Sequence, residues 1–148
     1  MNLVELSQVT HDVLDVATLR AAVAAEDAGA VVVFEGVVRD HDPEASGTVT
    51  GLEYSAHPDA TKLLREVVAE ANTTVHNPLD DKALPVRVVA VHRIGALGVG
   101  DTALAVAVSA AHRQEAFETC STVVENIKAR VPIWKQQFGP DGSHWVGI

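Results

Sequence analysis

The chain has 148 residues, enough for one domain with an adequate core, and its apolar content of 47% is that of an ordinary soluble globular protein. A net charge of −9 argues against nonspecific nucleic-acid binding, which needs a basic face, although a pocket on an acidic protein can still be locally positive. No apolar run reaches the roughly 20 residues that span a bilayer. The N-terminus lacks the pattern of a signal peptide, and the lone Cys120 leaves no internal disulfide, so a single cytoplasmic domain over residues 1–148 is expected, with no membrane partner.

In chain order, residues 3–8 suit a short strand. Asp15 is placed to cap an alanine-rich helix that runs to Gly29, a natural stop. Ala30 to Val38 is almost uninterrupted β-branched sequence and reads as a strand buried on both faces. Arg39 then opens a polar loop, Asp40 to Gly47, whose Pro43, Ser46 and Gly47 predict mobility. Thr48 to Ser55 is a further strand. His57-Pro58-Asp59 starts a helix in which Leu63, Leu64, Val67, Val68 and Ala71 recur at helical spacing. Residues 72–81 read as a loop and Val86 to Ile94 as a strand. A turn carrying Gly95, Gly98 and Gly100 follows, then a buried strand from Thr102 to Ser109. The last helix runs from about His112 to Arg130, and short strands around Trp134 and Trp145 close the chain. Two pairs of adjacent strands lack a crossover helix between them. The order therefore favours an α+β domain, a mixed or antiparallel sheet with helices packed on it, over a purely parallel sheet.

The residues best placed for chemistry lie near the C-terminus. On a helical wheel Phe117, Cys120, Val123, Val124, Ile127 and Val131 form one apolar stripe, and Arg113 and Lys128 fall at its azimuth. An amine held against an apolar face suits a base or nucleophile, while a lysine whose stem packs and whose head reaches water fits the same geometry. Pro132 stops the helix and biases Val131 to an extended conformation, so the chain can return across the helix end carrying Lys135. Two lysines there would form an anion site; a solvated Lys135 beside a structural Trp134 is the plainer alternative. His112-Arg113 stands at a strand-to-helix junction, where free N–H groups, the helix dipole and a guanidinium fork favour an anion, unless Arg113 simply pairs with Glu115 or Glu118. The second such pair, His92-Arg93, leads into the glycine turn and reads as mainly structural. Arg39 ends a strand, a common ligand position. No Cys-x-x-Cys, compact histidine spacing, Walker loop or Gly-x-Ser-x-Gly is present, so neither a metal nor a cofactor is expected. Cys120, inside the apolar stripe, reads as a buried inert thiol.

Taken in order, Phe34-Glu35-Gly36-Val37-Val38-Arg39, Leu52-Glu53-Tyr54 with His57, and His92-Arg93-Ile94-Gly95 with Gly100-Asp101 make a pattern. It continues through Ser109-Ala110-Ala111-His112-Arg113 with Ala116-Phe117, Lys128 with Val131-Pro132-Ile133-Trp134-Lys135, and Trp145-Val146. This ordered set, spanning about residue 30 to the end, resembles the large, catalytic subunit family of molybdopterin synthase. The resemblance implies an α+β fold of the α/β-hammerhead type. It also implies a sulfurtransferase that converts cyclic pyranopterin monophosphate to molybdopterin by installing two dithiolene sulfurs. The sulfur comes from the C-terminal thiocarboxylate of a small ubiquitin-like subunit whose tail enters a pocket, and the large subunits form a homodimer within a heterotetramer.

By the same resemblance Lys128 and Lys135 are the catalytic lysines. Arg39, His112 and Arg113 supply cations for the substrate phosphate, and Val37 and Val38 touch substrate through their backbone. Lys135 is placed nearest the incoming tail, in position for a transient acyl link to it. Gln137 stands where the family commonly has a glutamate, and Gln136 where a basic residue is frequent; both fall beside the substrate. Two other classes remain in view: a non-catalytic module that binds a ubiquitin-like tail or a small anion, and a Schiff-base enzyme with Lys128 as its amine.

Overall fold

A computed structural model describes residues 2–41, 49–77, 82–139 and 142–147. The chain opens with a short helix, α1 (Leu3–Leu6), where a strand is expected. Asn2 is the reason: its side-chain oxygen accepts the N–H groups of Val4 at 3.0 Å and Glu5 at 3.3 Å, so the first turn is capped. Only Gln8–Thr10 is extended, as β1. Helix α2 (Val16–Val23) is capped by Asp15, which accepts from the N–H and hydroxyl of Thr18 at 3.2 and 2.8 Å. It stops at Val23, six residues before the glycine expected to end it, because Ala24 is already extended (φ −63°, ψ 138°). Gly29 has another task. Its N–H donates to the Ala110 carbonyl at 3.0 Å, and a Cβ there would sit 2.5 Å from the carbonyl oxygen of Ala111. The glycine lets two backbones touch.

The next elements are β2 (Ala30–Val37), β3 (Gly51–Ala56), α3 (Ala60–Ala71) and β4 (Thr73–Asn77). The expected loop after α3 is thus partly a strand. β-Branched Thr73 and Thr74 pair antiparallel with the start of β5 (Lys82–Arg93), and the Asn72 side chain bonds both the N–H and the carbonyl of Val88. The chain continues as β6 (Gly95–Gly98), β7 (Thr102–Ala110), α4 (Arg113–Arg130), β8 (Ile133–Gly139) and β9 (Gly142–Gly147). Most of the expected glycine turn is therefore strand β6, paired antiparallel with β3; the reversal itself lies at Gly100, with φ +91°. The expected mobile loop with Pro43, Ser46 and Gly47 lies outside the described residues.

These strands make two sheets. The larger has the order β1-β5-β7-β2, with β4 pairing to β5; β1 runs parallel to β5 and the other pairings are antiparallel. The smaller is antiparallel, in the order β6-β3-β8-β9. This is the expected α+β architecture of mixed and antiparallel sheets with packed helices. One face of the large sheet carries Val88, Ala90, Val106 and Val108 into a core with α3 and α4, whose Leu64, Val68, Val123 and Ile127 are buried there. The other face carries Val89, Val91, Ala105 and Ala107 against Leu19 and Val23 of α2. Alternation along the strands separates the two cores.

Strand β2 departs from the expectation of burial on both faces. It is an edge strand, and α2 reaches only Val31, so Val33 and Val37 on that side are exposed. Phe117 of α4 departs from the expected apolar stripe. It is 61% exposed and lines an open apolar groove with Val32, Val33 and Val124, while Ala116 takes its place in the core. Cys120 is buried, and burial pushes its thiol pKa up, as expected of an inert thiol.

Candidate functional site

A cavity of about 540 Å³ is lined by residues of both sheets. Register explains which side chains enter it. Across the large sheet Gly36 pairs with Leu104, and Leu104 with His92, so these three form a row on one face. Across the small sheet Leu52 pairs with Gln137, and Tyr54 with Lys135. All seven line the cavity, with Phe34 joining the first row. Lys128 enters from the last turn of α4, and Val37, Val38, Arg39 and His41 form the rim.

The two lysines meet because of the proline. The Val131 N–H still donates to the Ile127 carbonyl at 3.0 Å, but Val131 itself is extended (φ −92°, ψ 120°), and Pro132 cannot continue the helix. The Pro132 carbonyl accepts the His57 N–H at 3.0 Å, which directs the chain into β8 beside β3. Strand alternation then aims Lys135 and Gln137 inward and Trp134, Gln136 and Phe138 outward. Lys128 keeps considerable exposure, as a snorkelling lysine would, yet the surface it faces is the cavity.

Arg39, Lys128, Lys135, Gln137, Val37 and Val38 thus come together as expected of one site. Val38 brings no free backbone group. Its N–H donates to the Asp101 carbonyl at 2.9 Å and its carbonyl accepts from Gly100 at 2.8 Å, so it serves as wall and not through its backbone. Gln136 faces away. His112 and Arg113 are not brought in either. His112 is the N-cap of α4 and Arg113 its first residue, whereas Lys128 lies fifteen residues on, about 22 Å along the axis. The helical wheel aligns Arg113 with Lys128 in azimuth and hides that axial separation.

Tyr54 and His92 are the residues whose place in the site was not read from the sequence. His92 is 3% exposed. Its Nδ1 lies 2.7 Å from the Arg93 carbonyl oxygen, and its ring meets that of Tyr54 edge-on, with centroids 5.1 Å apart at 72°. A carbonyl can only accept, so Nδ1 carries the hydrogen. Burial is the main cause of a pKa lowered to about 4, with the Arg93 carbonyl opposing it. Burial also raises the Tyr54 pKa. The available signal was that His92 continues the alternation of Val88 and Ala90 on a face otherwise apolar.

The lowered His92 pKa has a defined stability consequence. Above pH 6.5 the ring is neutral in both states and contributes nothing. Between 6.5 and about 4 the unfolded chain binds the proton while the folded chain does not, so stability falls as pH falls. The loss levels off near pH 4, at roughly 3 kcal/mol. Urea unfolding of the wild type and of His92→Gln at pH 7 and pH 4.5 checks this. The wild type is expected to lose more stability over that interval, and equal losses would refute the assignment.

Comparison with known proteins follows the same outline. A family model described as MoaE protein matches residues 9–130. The molybdopterin synthase catalytic subunit 1 of Mycobacterium tuberculosis is 39% identical over 140 residues, covering 95% of this chain and 89% of its own. The molybdopterin synthase catalytic subunit of Escherichia coli is 38% identical over 122 residues, covering 82% and 75%. Among solved structures, the molybdopterin synthase of Staphylococcus aureus superposes with a TM-score of 0.81 at 33% identity, covering 97% of this chain and 98% of that one.

Proposed function

The chain belongs to the MoaE family, and on that premise we propose that it is the sulfurtransferase of molybdopterin synthesis, acting on cyclic pyranopterin monophosphate. The observation that carries the reading is the convergence of Lys128, Lys135 and Arg39 on one cavity, from a helix end, a facing strand and a rim. Each transfer makes a carbon–sulfur bond on the pterin side chain in place of a carbon–oxygen bond, whose oxygen leaves on the phosphate or as water, and breaks the acyl carbon–sulfur bond of the carrier. Water supplies the oxygen of the carboxylate left on the carrier. The charge that develops lies on oxygen at the acyl carbon, where an ammonium stabilises it, and the attacking water must lose a proton, which an amine can accept. Lys135, inward from the middle of β8, is assigned to the carrier tail. Lys128 and Arg39 are assigned to the phosphate and to proton movement beside it.

The sulfur donor in this reading is the C-terminal thiocarboxylate of a small ubiquitin-like subunit, and the large subunit works as a homodimer inside a heterotetramer. Edge strand β2 and the adjoining apolar groove at Val33 and Phe117 support a self-contact, since an unpaired strand beside exposed apolar side chains favours association. Within one chain His112 and Arg113 lie at the far end of α4, so in that assembly a second copy is the source of any contact they make with substrate.

Reconstitution tests the function. The purified chain, mixed with thiocarboxylated small subunit and cyclic pyranopterin monophosphate, is expected to yield a dithiolene pterin, detectable by mass as two sulfurs in place of two oxygens of the hydrated substrate. Tight binding of both components without that product would instead favour a non-catalytic module. No helix among the described residues is long and apolar enough to cross a membrane.

A further inference from the structure

The cavity holds three cations, and His92 adds a neutral acceptor to it. Because Nδ1 of His92 donates to the Arg93 carbonyl, the uncharged ring leaves a bare lone pair on Nε2. Among the described residues Nε2 has no hydrogen-bond partner, and it is not one of the buried polar atoms sealed from solvent, unlike Nε of Arg93. His92 lines the cavity, so the open side of its ring is the cavity itself. Its surroundings are flat and apolar: the Tyr54 ring stands edge-on to it and Leu104 is its cross-strand neighbour. Burial keeps this imidazole neutral throughout the physiological range.

A lone pair and a group of cations sort the two ends of a ligand. The substrate's anionic group is drawn to Lys128 and Arg39, with Lys135 left to the carrier tail, and gains nothing from Nε2. A ring N–H is received by Nε2 and repelled by the ammonium groups. We propose that His92 is a specificity-determining residue whose Nε2 accepts an N–H from the flat heterocycle of the substrate, seating that ring against Tyr54 and Leu104 while the phosphate takes the cations. The proposal rests on the functional reading above for the identity of the heterocycle. The pairing of acceptor with cations selects the wider class of flat anionic heterocycles that bear a ring N–H.

Two measurements test it. In wild-type protein labelled with 15N at histidine, saturation with cyclic pyranopterin monophosphate is expected to move the His92 Nε2 resonance in the direction of hydrogen-bond acceptance and to leave Nδ1 protonated. Inorganic phosphate at saturation is expected to leave Nε2 unmoved. Replacement of His92 by Phe keeps a planar ring and removes the acceptor, and it is expected to weaken pterin binding about 10- to 100-fold, because a buried N–H then goes unpaired. KM is expected to rise by a similar factor with kcat little changed, the mark of an interaction made equally in the ground and transition states. His92→Gln restores an acceptor and is expected to recover most of the binding, with phosphate affinity unchanged in both variants. An Nε2 resonance unmoved at pterin saturation overturns the proposal, as does wild-type pterin affinity in His92→Phe. If that variant fails to fold, the resonance in the wild type decides alone. A wild type that makes no product in the reconstitution overturns the functional reading instead, a different outcome from an active wild type that is indifferent to His92.

Discussion

Replacing Lys135 by Ala is expected to slow sulfur transfer by at least about 100-fold while leaving the affinity for cyclic pyranopterin monophosphate within about threefold. The asymmetry follows from where the side chain sits. Lys135 faces the cavity from the middle of β8, opposite Tyr54, and its backbone is held in two antiparallel ladders, with β3 and with β9. Truncation therefore removes an amine and leaves the wall standing. Lys128 and Arg39 still line the cavity and still attract phosphate. What is lost is a donor for the oxygen that gains charge when the acyl carbon–sulfur bond breaks. Lys135→Arg keeps a positive charge but gives up an amine that can release a proton, so it should restore only part of the rate. Single-turnover assays with thiocarboxylated carrier, alongside equilibrium pterin binding, separate the two effects. A fully active Lys135→Ala enzyme would refute the assignment.

Ile127→Ala is expected to cost about 2–5 kcal/mol of folding stability, a large share of the roughly 5–15 kcal/mol that a domain of this size has in total. Ile127 is fully buried in the core between α4, α3 and the large sheet. Removing its outer carbons opens a void that close-packed neighbours fill only in part. Its carbonyl also accepts the Val131 N–H that ends the helix, and Lys128 is the next residue, so the same anchor sets the height of the amine over the cavity. Urea unfolding measures the stability, and a melting temperature lower by on the order of 10 °C should accompany the loss. A change under 1 kcal/mol would show that Ile127 is not the packing centre described.

Much of this fold is written in local pattern. The uninterrupted apolar run of β7 and the length of α4 follow from residue type alone, as does the break at Pro132. The elements that escaped are those decided by single side chains or by distant partners. A capping Asn2 turns the strand expected over residues 3–8 partly into helix. The strand β4 exists because β5 extends back to Lys82 and offers it an edge. Glycines at 95 and 98 suggest a turn, yet β3 supplies a partner and the segment pairs as β6.

The site divides the same way. Lys128 and Arg39 are legible as cations at element ends, and Lys135 as the cation that follows the break at Pro132. His92 is the last residue of β5 paired with β7, and its place in the site depends on Tyr54 of the small sheet meeting its ring, which no neighbour in sequence reveals. His112 and Arg113 mark the opposite failure: a wheel records direction and is silent about height along the axis.

Six residues, from Ala129 to Trp134, bridge the two amines, and that bridge crosses from one layer of the molecule to another. Strand periodicity makes its length stricter than its composition. One codon more or fewer before Lys135 would present Trp134 or Gln136 to the cavity and turn the amine toward bulk water. The count of residues in the bridge is thus tied to the face on which the second amine stands, whereas an exposed position such as Ala129 can change without turning that amine.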